Sequence, residues 1–271
     1  MNDARARSEL DAGSARDAEA RLLRDAARRF SGAGLGPWAF ASLKLRIDPI
    51  YRELLRQGML PTSGLIADLG CGQGLTLSVI RSAQRQHERR QFPDGWAPPP
   101  RDVELWGCDV RRPQVAIARR ALGEDARIER ADLRTVALPS CRAALMFDSL
   151  HYLDRDEQDH VLDKVGKAVE PGGTIVVREA DARDGARFDA VHVSEMLRAK
   201  LRGQWRQRFC FRSGEEWTRK LASLGFDTRV QGMAGRTPFR NVIIHGVRRT
   251  FLSGARASSD AASDGCVSQN G

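Results

Sequence analysis

Lysine is scarce in this 271-residue chain: Lys44, Lys164, Lys167, Lys200 and Lys220 are the only five among its 44 basic residues. No stretch approaches the roughly 18–20 consecutive apolar residues that cross a bilayer, so no transmembrane segment is expected. The opening MNDARARSELDAGSARD mixes acids with arginines and lacks an apolar core, so it does not read as a secretory signal, and a cytoplasmic protein is expected. Cysteine is limited to Cys71, Cys108, Cys141, Cys210 and Cys266, an odd number without a CxxC pair. That argues against a disulfide framework and against a zinc site, so no metal is expected. What is abundant is arginine, which brings the formal charge to +9. A basic balance invites a polyanionic partner. Here, however, the cations are spread along the chain and interleaved with acids, which also describes a solvated arginine-rich surface.

Hydrophobic residues form 41 % of the chain and charged residues 29 %, enough for a sizeable core. Residues 1–60 read as a helical extension. Leu22, Leu23, Ala26, Ala27 and Phe30 recur at helical spacing, Gly32, Gly34, Gly36 and Pro37 break the pattern, and a second helix runs from about Asp48 to Gln57. From Leu65 onward, apolar strands alternate with amphipathic helices. Strands are expected at 65–69, 103–108, 126–130, 143–148, 173–179, 226–232 and 241–248, and helices at 74–86, 112–121, 155–169 and 214–224. Such alternation is the pattern of a parallel sheet covered on both faces. Ser213 and Glu216 form a capping-box signature at the last helix. Two interruptions lie within 61–250: a polar, proline-rich loop at 87–102, expected to be exposed, and a lid-like insertion at 181–212 carrying His192, Met196, Trp205, Phe209 and Phe211. The Ser/Ala/Gly/Asp tail, 251–271, is expected to be disordered.

The segment Ile66 to Gly74, IADLGCGQG, joins an apolar strand to a helix through three glycines. Alternate glycines let the backbone turn sharply and approach a ligand where a Cβ would collide. The helix start behind them presents unpaired N–H groups to an anion. A dinucleotide fingerprint requires G-x-G-x-x-G, and residues 70–75 read G-C-G-Q-G-L; a P-loop requires Gly-Lys-Ser/Thr, which is absent.

The string instead resembles motif I of the class I S-adenosylmethionine-dependent methyltransferases, a Rossmann-like family, matching its acid and glycines at Asp68, Gly70, Gly72 and Gly74. The resemblance implies a doubly wound α/β sheet of seven strands, mostly parallel with an antiparallel last strand, helices on both faces, and here extra N-terminal helices. It implies S-adenosyl-L-methionine as cofactor, with the glycines around its methionine part. An acid ending the second strand would take the ribose hydroxyls, and Asp109 stands there. The 35 residues from Gly74 to Asp109 exceed the family's usual gap by about the length of the proline-rich loop. An acid after the third strand would face the adenine amino group, and Asp132 stands there. Glu170-Pro171-Gly172-Gly173 supplies the family's turn before the fifth strand. The implied cofactor set is therefore Asp68, Gly70, Cys71, Gly72, Gly74, Asp109, Val110, Asp132, Leu133 and Asp148.

The fourth strand continues into Asp148-Ser149-Leu150-His151-Tyr152. It lacks the Asn/Asp-Pro-Pro-aromatic string of enzymes that methylate amino groups of DNA bases and the Pro-Cys of cytosine C5 enzymes. It resembles the Leu-His-aromatic region of small-molecule O-methyltransferases, in which the histidine is the general base. The 28 residues between His151 and Glu179 match that family's spacing. Imidazole takes protons near neutral pH, and a neighbouring carboxylate fixes its tautomer. An orienting or packing role for His151 is the alternative. His87 reads as solvated, His160 as a surface contact of Asp156 and Asp163, and His245 as core. Pro37, Trp38 and Phe40 either cap the cofactor or anchor the first helix. The overall expectation is a methyltransferase acting on a small-molecule or lipid-like acceptor, on oxygen, with His151 and Glu179 in the chemistry. The alternatives are an RNA or protein methyltransferase, favoured by the charge, and a cofactor-binding regulatory subunit without turnover.

Overall fold

The structure is a computed structural model, and it describes residues 2–181, 209–233 and 241–250. Most of the lid-like insertion and all of the tail lie outside these. Seven strands are arranged in one sheet: β1 (Ser63–Leu69), β2 (Asp102–Asp109), β3 (Arg127–Arg130), β4 (Cys141–Phe147), β5 (Val169–Ala180), β6 (Phe226–Gly232) and β7 (Asn241–Arg248). Their order is β3-β2-β1-β4-β5-β7-β6, and β7 runs antiparallel to both its neighbours. The seven-stranded, mostly parallel sheet expected from the sequence is present.

Each central strand sends successive side chains to opposite faces, and both faces are apolar. Ile66, Leu105, Leu145, Val176 and Ile243 join one core; Ala67, Trp106, Met146, Val177 and Ile244 join the other. The first core is closed by α1 (Asn2–Arg28), α2 (Leu35–Ile47), α3 (Ile50–Arg56), α4 (Leu75–Glu88) and α5 (Arg112–Leu122). The second is closed by α6 (Arg155–Ala168) and α7 (Gly214–Ser223), whose Trp217 is fully buried. Both α6 and α7 begin with complete capping boxes, Asp154 with Glu157 and Ser213 with Glu216.

The extension differs from the sequence reading. Gly36 and Pro37 do not end a helix; they sit in the first turn of α2, where a missing N–H leaves no helical bond unmade. α1 is tied across α4 by Ser78 Oγ donating to the Ala26 carbonyl at 2.9 Å and Gln86 Nε2 to Asp25 at 2.9 Å. The proline-rich loop is also less open than expected. Pro93, Pro99 and Pro100 are buried, and Phe92 and Trp96 meet edge to face and pack against the core. β5 begins earlier than the expected 173 because Val169 already pairs with Cys141, and the register shifts before Ala143.

Candidate functional site

The carboxyl ends of β1, β2, β4 and β5 converge on one edge, where the strand order reverses beside β1. In open α/β sheets this is where ligands bind. The glycine loop leaves β1 through two bonds to a single acceptor: the N–H groups of Gly70 and Cys71 both donate to the Cys108 carbonyl at 2.9 Å. The three glycines have φ of 80°, 56° and 81°, in the left-handed region that disfavours side chains. Their surroundings differ. A Cβ on Gly70 would meet Ser149 Cβ at 2.5 Å, and one on Gly74 would meet Leu122 Cδ1 at 2.7 Å, so both are needed for packing. A Cβ on Gly72 would find only Arg111 Nη2, at 3.7 Å, and it is this position that faces open space.

Asp68, at the end of β1, is 2 % exposed. Burial pushes its carboxyl up to about 7, with a contribution from the field of Asp109, against a hydrogen bond from Thr76. Its Oδ2 is buried with no hydrogen-bond partner among the described residues. Asp109 accepts from the Gly72 N–H at 3.0 Å and is gripped by its near neighbour Arg111. Burial lowers the Arg111 pKa, but its hydrogen bonds to Asp109 and then the fields of Asp109, Tyr152 and Cys71 raise it overall. Val110 is exposed. Asp132 is paired with Arg134, which also reaches Glu157 at 2.8 Å, while Leu133 packs against the second core. Sequence reasoning placed the acids at these strand ends but missed the arginines; their signal was the repeated triplet Asp109-Val110-Arg111 and Asp132-Leu133-Arg134.

Across the edge, His151 Nδ1 lies 2.7 Å from Glu179 Oε2, and Glu179 Oε1 accepts the Leu150 N–H at 2.9 Å. Both residues are buried. Phe211 stacks on the imidazole at 5.0 Å, with Phe209 at 5.9 Å and Tyr152 at 4.3 Å. The segment carrying Phe209 and Phe211 is pinned through Gln158, whose Nε2 donates to the carbonyls of Leu150, Leu153 and Cys210. Arg212 Nε donates to Gln158 Oε1 at 2.7 Å.

Asp148 leaves β4 with φ of 52° and contacts Arg178, which is 3 % exposed, while Lys44 lies 4.0 Å away. Arg178 also pairs with Asp48 at 3.1 Å, and Lys44 pairs with Asp48 at 2.7 Å. Burial would raise Asp48, but Arg178 and Lys44 hold its carboxyl below the usual range; Asp148 is raised by burial despite the same two cations. Asp48 also accepts the Ile50 N–H, at the first residue of α3, at 3.1 Å. The N-terminal helices are thus tied to the carboxyl edge through buried charges that the sequence reading did not find.

The remaining histidines are peripheral. His160 bonds the Arg134 carbonyl at 3.2 Å rather than Asp156 or Asp163. His87 packs edge to face on Phe92 rather than standing free in solvent, and burial lowers the pKa of His245. Trp38 and Phe40 are about half exposed. His192 lies outside the described residues.

This sheet order, with an antiparallel β7 and the glycine loop after β1, is the fold of class I S-adenosylmethionine-dependent methyltransferases. An O-methyltransferase family protein from Burkholderia thailandensis is similar in structure at a TM-score of 0.58 and 15 % identity, over 80 % of this chain and 60 % of that one. The magnesium protoporphyrin IX methyltransferase of Synechocystis PCC 6803, with bound S-adenosylhomocysteine, is similar at 0.51 and 17 % identity, over 76 % and 83 % of the two chains. Human N-acetylserotonin methyltransferase, in complex with S-adenosylmethionine, is similar at 0.52 and 17 % identity, over 84 % and 58 %. The chain therefore spans about 60 % of the length of the first of these and a similar share of the third. No protein-family model and no curated protein matches the sequence. Among the described residues, no helix is long and apolar enough to cross a membrane, and no cluster of side chains is suited to a metal ion.

Proposed function

We propose that this chain is a methyltransferase that uses S-adenosyl-L-methionine and methylates an oxygen of a small-molecule or lipid-like acceptor. The single observation that carries the reading is the buried His151–Glu179 pair, at 2.7 Å, on the same sheet edge as the glycine loop. The residues at that edge fit the cofactor. Gly72 offers a cradle that a side chain would fill, Asp68 holds an orphaned buried oxygen for a cationic group, and Asp109 stands where the ribose needs an acceptor, whereas Asp132, assigned to the adenine amino group, has both carboxylate oxygens held by Arg134. Asp148, Cys71, Val110 and Leu133 complete that set. When bound, the cofactor supplies an electrophilic methyl group on a sulfonium. The similar structures named for an O-methyltransferase family, a porphyrin and an acetylated amine support a small acceptor.

The work of the protein is alignment and removal of the acceptor's proton. Glu179 holds Nδ1–H of His151 and thereby presents Nε2 as the basic nitrogen; its charge also stabilises the imidazolium that forms. The aromatic cover of Tyr152, Phe209 and Phe211 excludes water from that proton transfer and favours an apolar acceptor. Asp148 stands beside the pair, aimed by Arg178.

The test begins with radiolabelled cofactor and cell extract separated into small molecules, lipids, RNA and protein. Label should enter the first two fractions. Incorporation into RNA with binding that weakens steeply with salt would overturn the acceptor class. His151→Ala should lower turnover roughly 10²-fold or more while S-adenosylhomocysteine affinity stays near wild type. Glu179→Gln should also shift the acidic limb of the pH–rate profile to lower pH, since the imidazolium loses its counter-charge. Near wild-type turnover in His151→Ala, with chemistry rate-limiting, would remove the histidine from the mechanism.

A further inference from the structure

The carboxylate that should receive the ribose is already full. Asp109 is 5 % exposed and accepts four hydrogen bonds: from Gly72 N at 3.0 Å, and from Arg111 N at 2.8 Å, Nε at 3.1 Å and Nη2 at 3.1 Å. A carboxylate has about four lone-pair directions, so no acceptor site remains for a vicinal diol. Two of the four donors are backbone groups fixed by the glycine loop and the start of α5. The other two belong to one guanidinium on a side chain that is 43 % exposed and can turn away. That guanidinium lies over the glycine loop, with Nη2 3.7 Å from where a Cβ of Gly72 would be.

The second copy of the triplet makes the contrast. Arg134 grips Asp132 in the same manner, through its N–H at 2.9 Å and Nη2 at 2.6 Å, but it is also anchored to Glu157 at 2.8 Å. Arg111 has no second carboxylate among the described residues. Arg134 is a fixed strut between β3 and α6, whereas Arg111 is held by the functional acid alone.

We propose that Arg111 is a resident competitor for the nucleoside: its guanidinium occupies Asp109 and must swing off before the ribose hydroxyls can bind. The inference rests on the reading that Asp109 is the ribose acid. Release of the fork leaves the two backbone donors in place and opens two acceptor positions, matching the two hydroxyls of a ribose. Affinity is reduced by the fraction of molecules in which the fork is closed. Because the competitor is an ion pair and S-adenosylhomocysteine is a net-neutral zwitterion, added salt weakens the competitor more than the ligand. Wild-type affinity therefore rises modestly with ionic strength.

Calorimetric titration with S-adenosylhomocysteine tests this. Arg111→Gln should bind it roughly fivefold more tightly, the scale of one half-exposed ion pair, and should lose the salt dependence. Arg111→Lys, which keeps the charge without the fork, should fall between the two. The gain should shrink for the 2′-deoxyribose analogue, which presents one hydroxyl fewer. Equal or weaker binding by Arg111→Gln, with binding lost in a folded Asp109→Asn variant, would overturn the competitor while leaving Asp109 as the ribose acid. Unchanged binding in both variants would overturn the ribose assignment and the proposal together.

Discussion

Arg178→Met tests the buried charges that join α2 to the carboxyl edge. The guanidinium is sealed from solvent and serves two acids, Asp48 at 3.1 Å and Asp148. Methionine nearly preserves the length and apolar contacts of the side chain, so the change isolates the charge. Removing one partner of a buried pair costs about 3–5 kcal/mol, because the remaining charge has lost its compensation. Two features of the site pull the expectation to the lower end of that range. Asp48 keeps Lys44 at 2.7 Å and the Ile50 N–H, and the Asp148 side chain is 38 % exposed, so water can partly replace the lost partner. The expected loss is therefore about 3 kcal/mol. Urea unfolding would read it as a lower midpoint at unchanged m-value. A double variant with Asp48→Asn should lose less than the sum of the single changes, since both disrupt one network. Asp148 holds φ of 52° three residues before His151, so turnover should also fall at temperatures where the variant remains folded. A loss below about 1 kcal/mol, or full additivity in the double variant, would show that the cluster is not an energetic unit.

Gly72→Val places a branched side chain at φ of 56°, in the space the proposed function gives to the cofactor. It should abolish S-adenosylhomocysteine binding in calorimetry while the protein still unfolds cooperatively; retained affinity in a folded variant would remove the site from this loop. Asp68 gives a pH signature. Its folded pKa of about 7 lies above the ordinary 3.8, so the folded state holds an extra proton between these values. Its contribution to stability is therefore greatest at the acid end and declines as pH rises to about 7, on the order of 1 kcal/mol per pH unit. The stability of wild type minus that of Asp68→Asn, measured by urea unfolding, should decline through the same window; a flat difference would refute it.

Local chemistry was legible in the sequence; partnerships between distant residues were not. Alternating faces buried on both sides made the strands visible, because Ile66 and Ala67 or Leu145 and Met146 must each find a core. The glycine loop was visible because its backbone conformation needs the residue type itself, and the capping box of Ser213 and Glu216 because its partners are three residues apart. α2 was obscured by Gly36 and Pro37, which break a helix interior but are tolerated in a first turn; only α1 and the sheet edge decide which case applies. Lys44, Asp48 and Arg178 were invisible for a different reason. Lys44 and Asp48 are four residues apart at the end of α2, but Arg178 comes from β5, and nothing in a charge pattern tells a buried pair from solvated neighbours until the chain brings them together.

The two arginine triplets carry the same lesson into the site. Asp109-Val110-Arg111 and Asp132-Leu133-Arg134 are nearly identical in sequence and in their local hydrogen bonds. What separates them is Glu157, supplied by α6 beyond the next strand, which anchors one guanidinium and has no counterpart at the other among the described residues. An acid with an arginine two residues on therefore specifies a local fork, and the tertiary fold decides whether that fork is a strut or can open. At β3 it braces the sheet against α6. At β2 it rests on the carboxylate beside the glycine loop, and the competition proposed above would have that ion pair and the ribose hydroxyls contend for the same two oxygens.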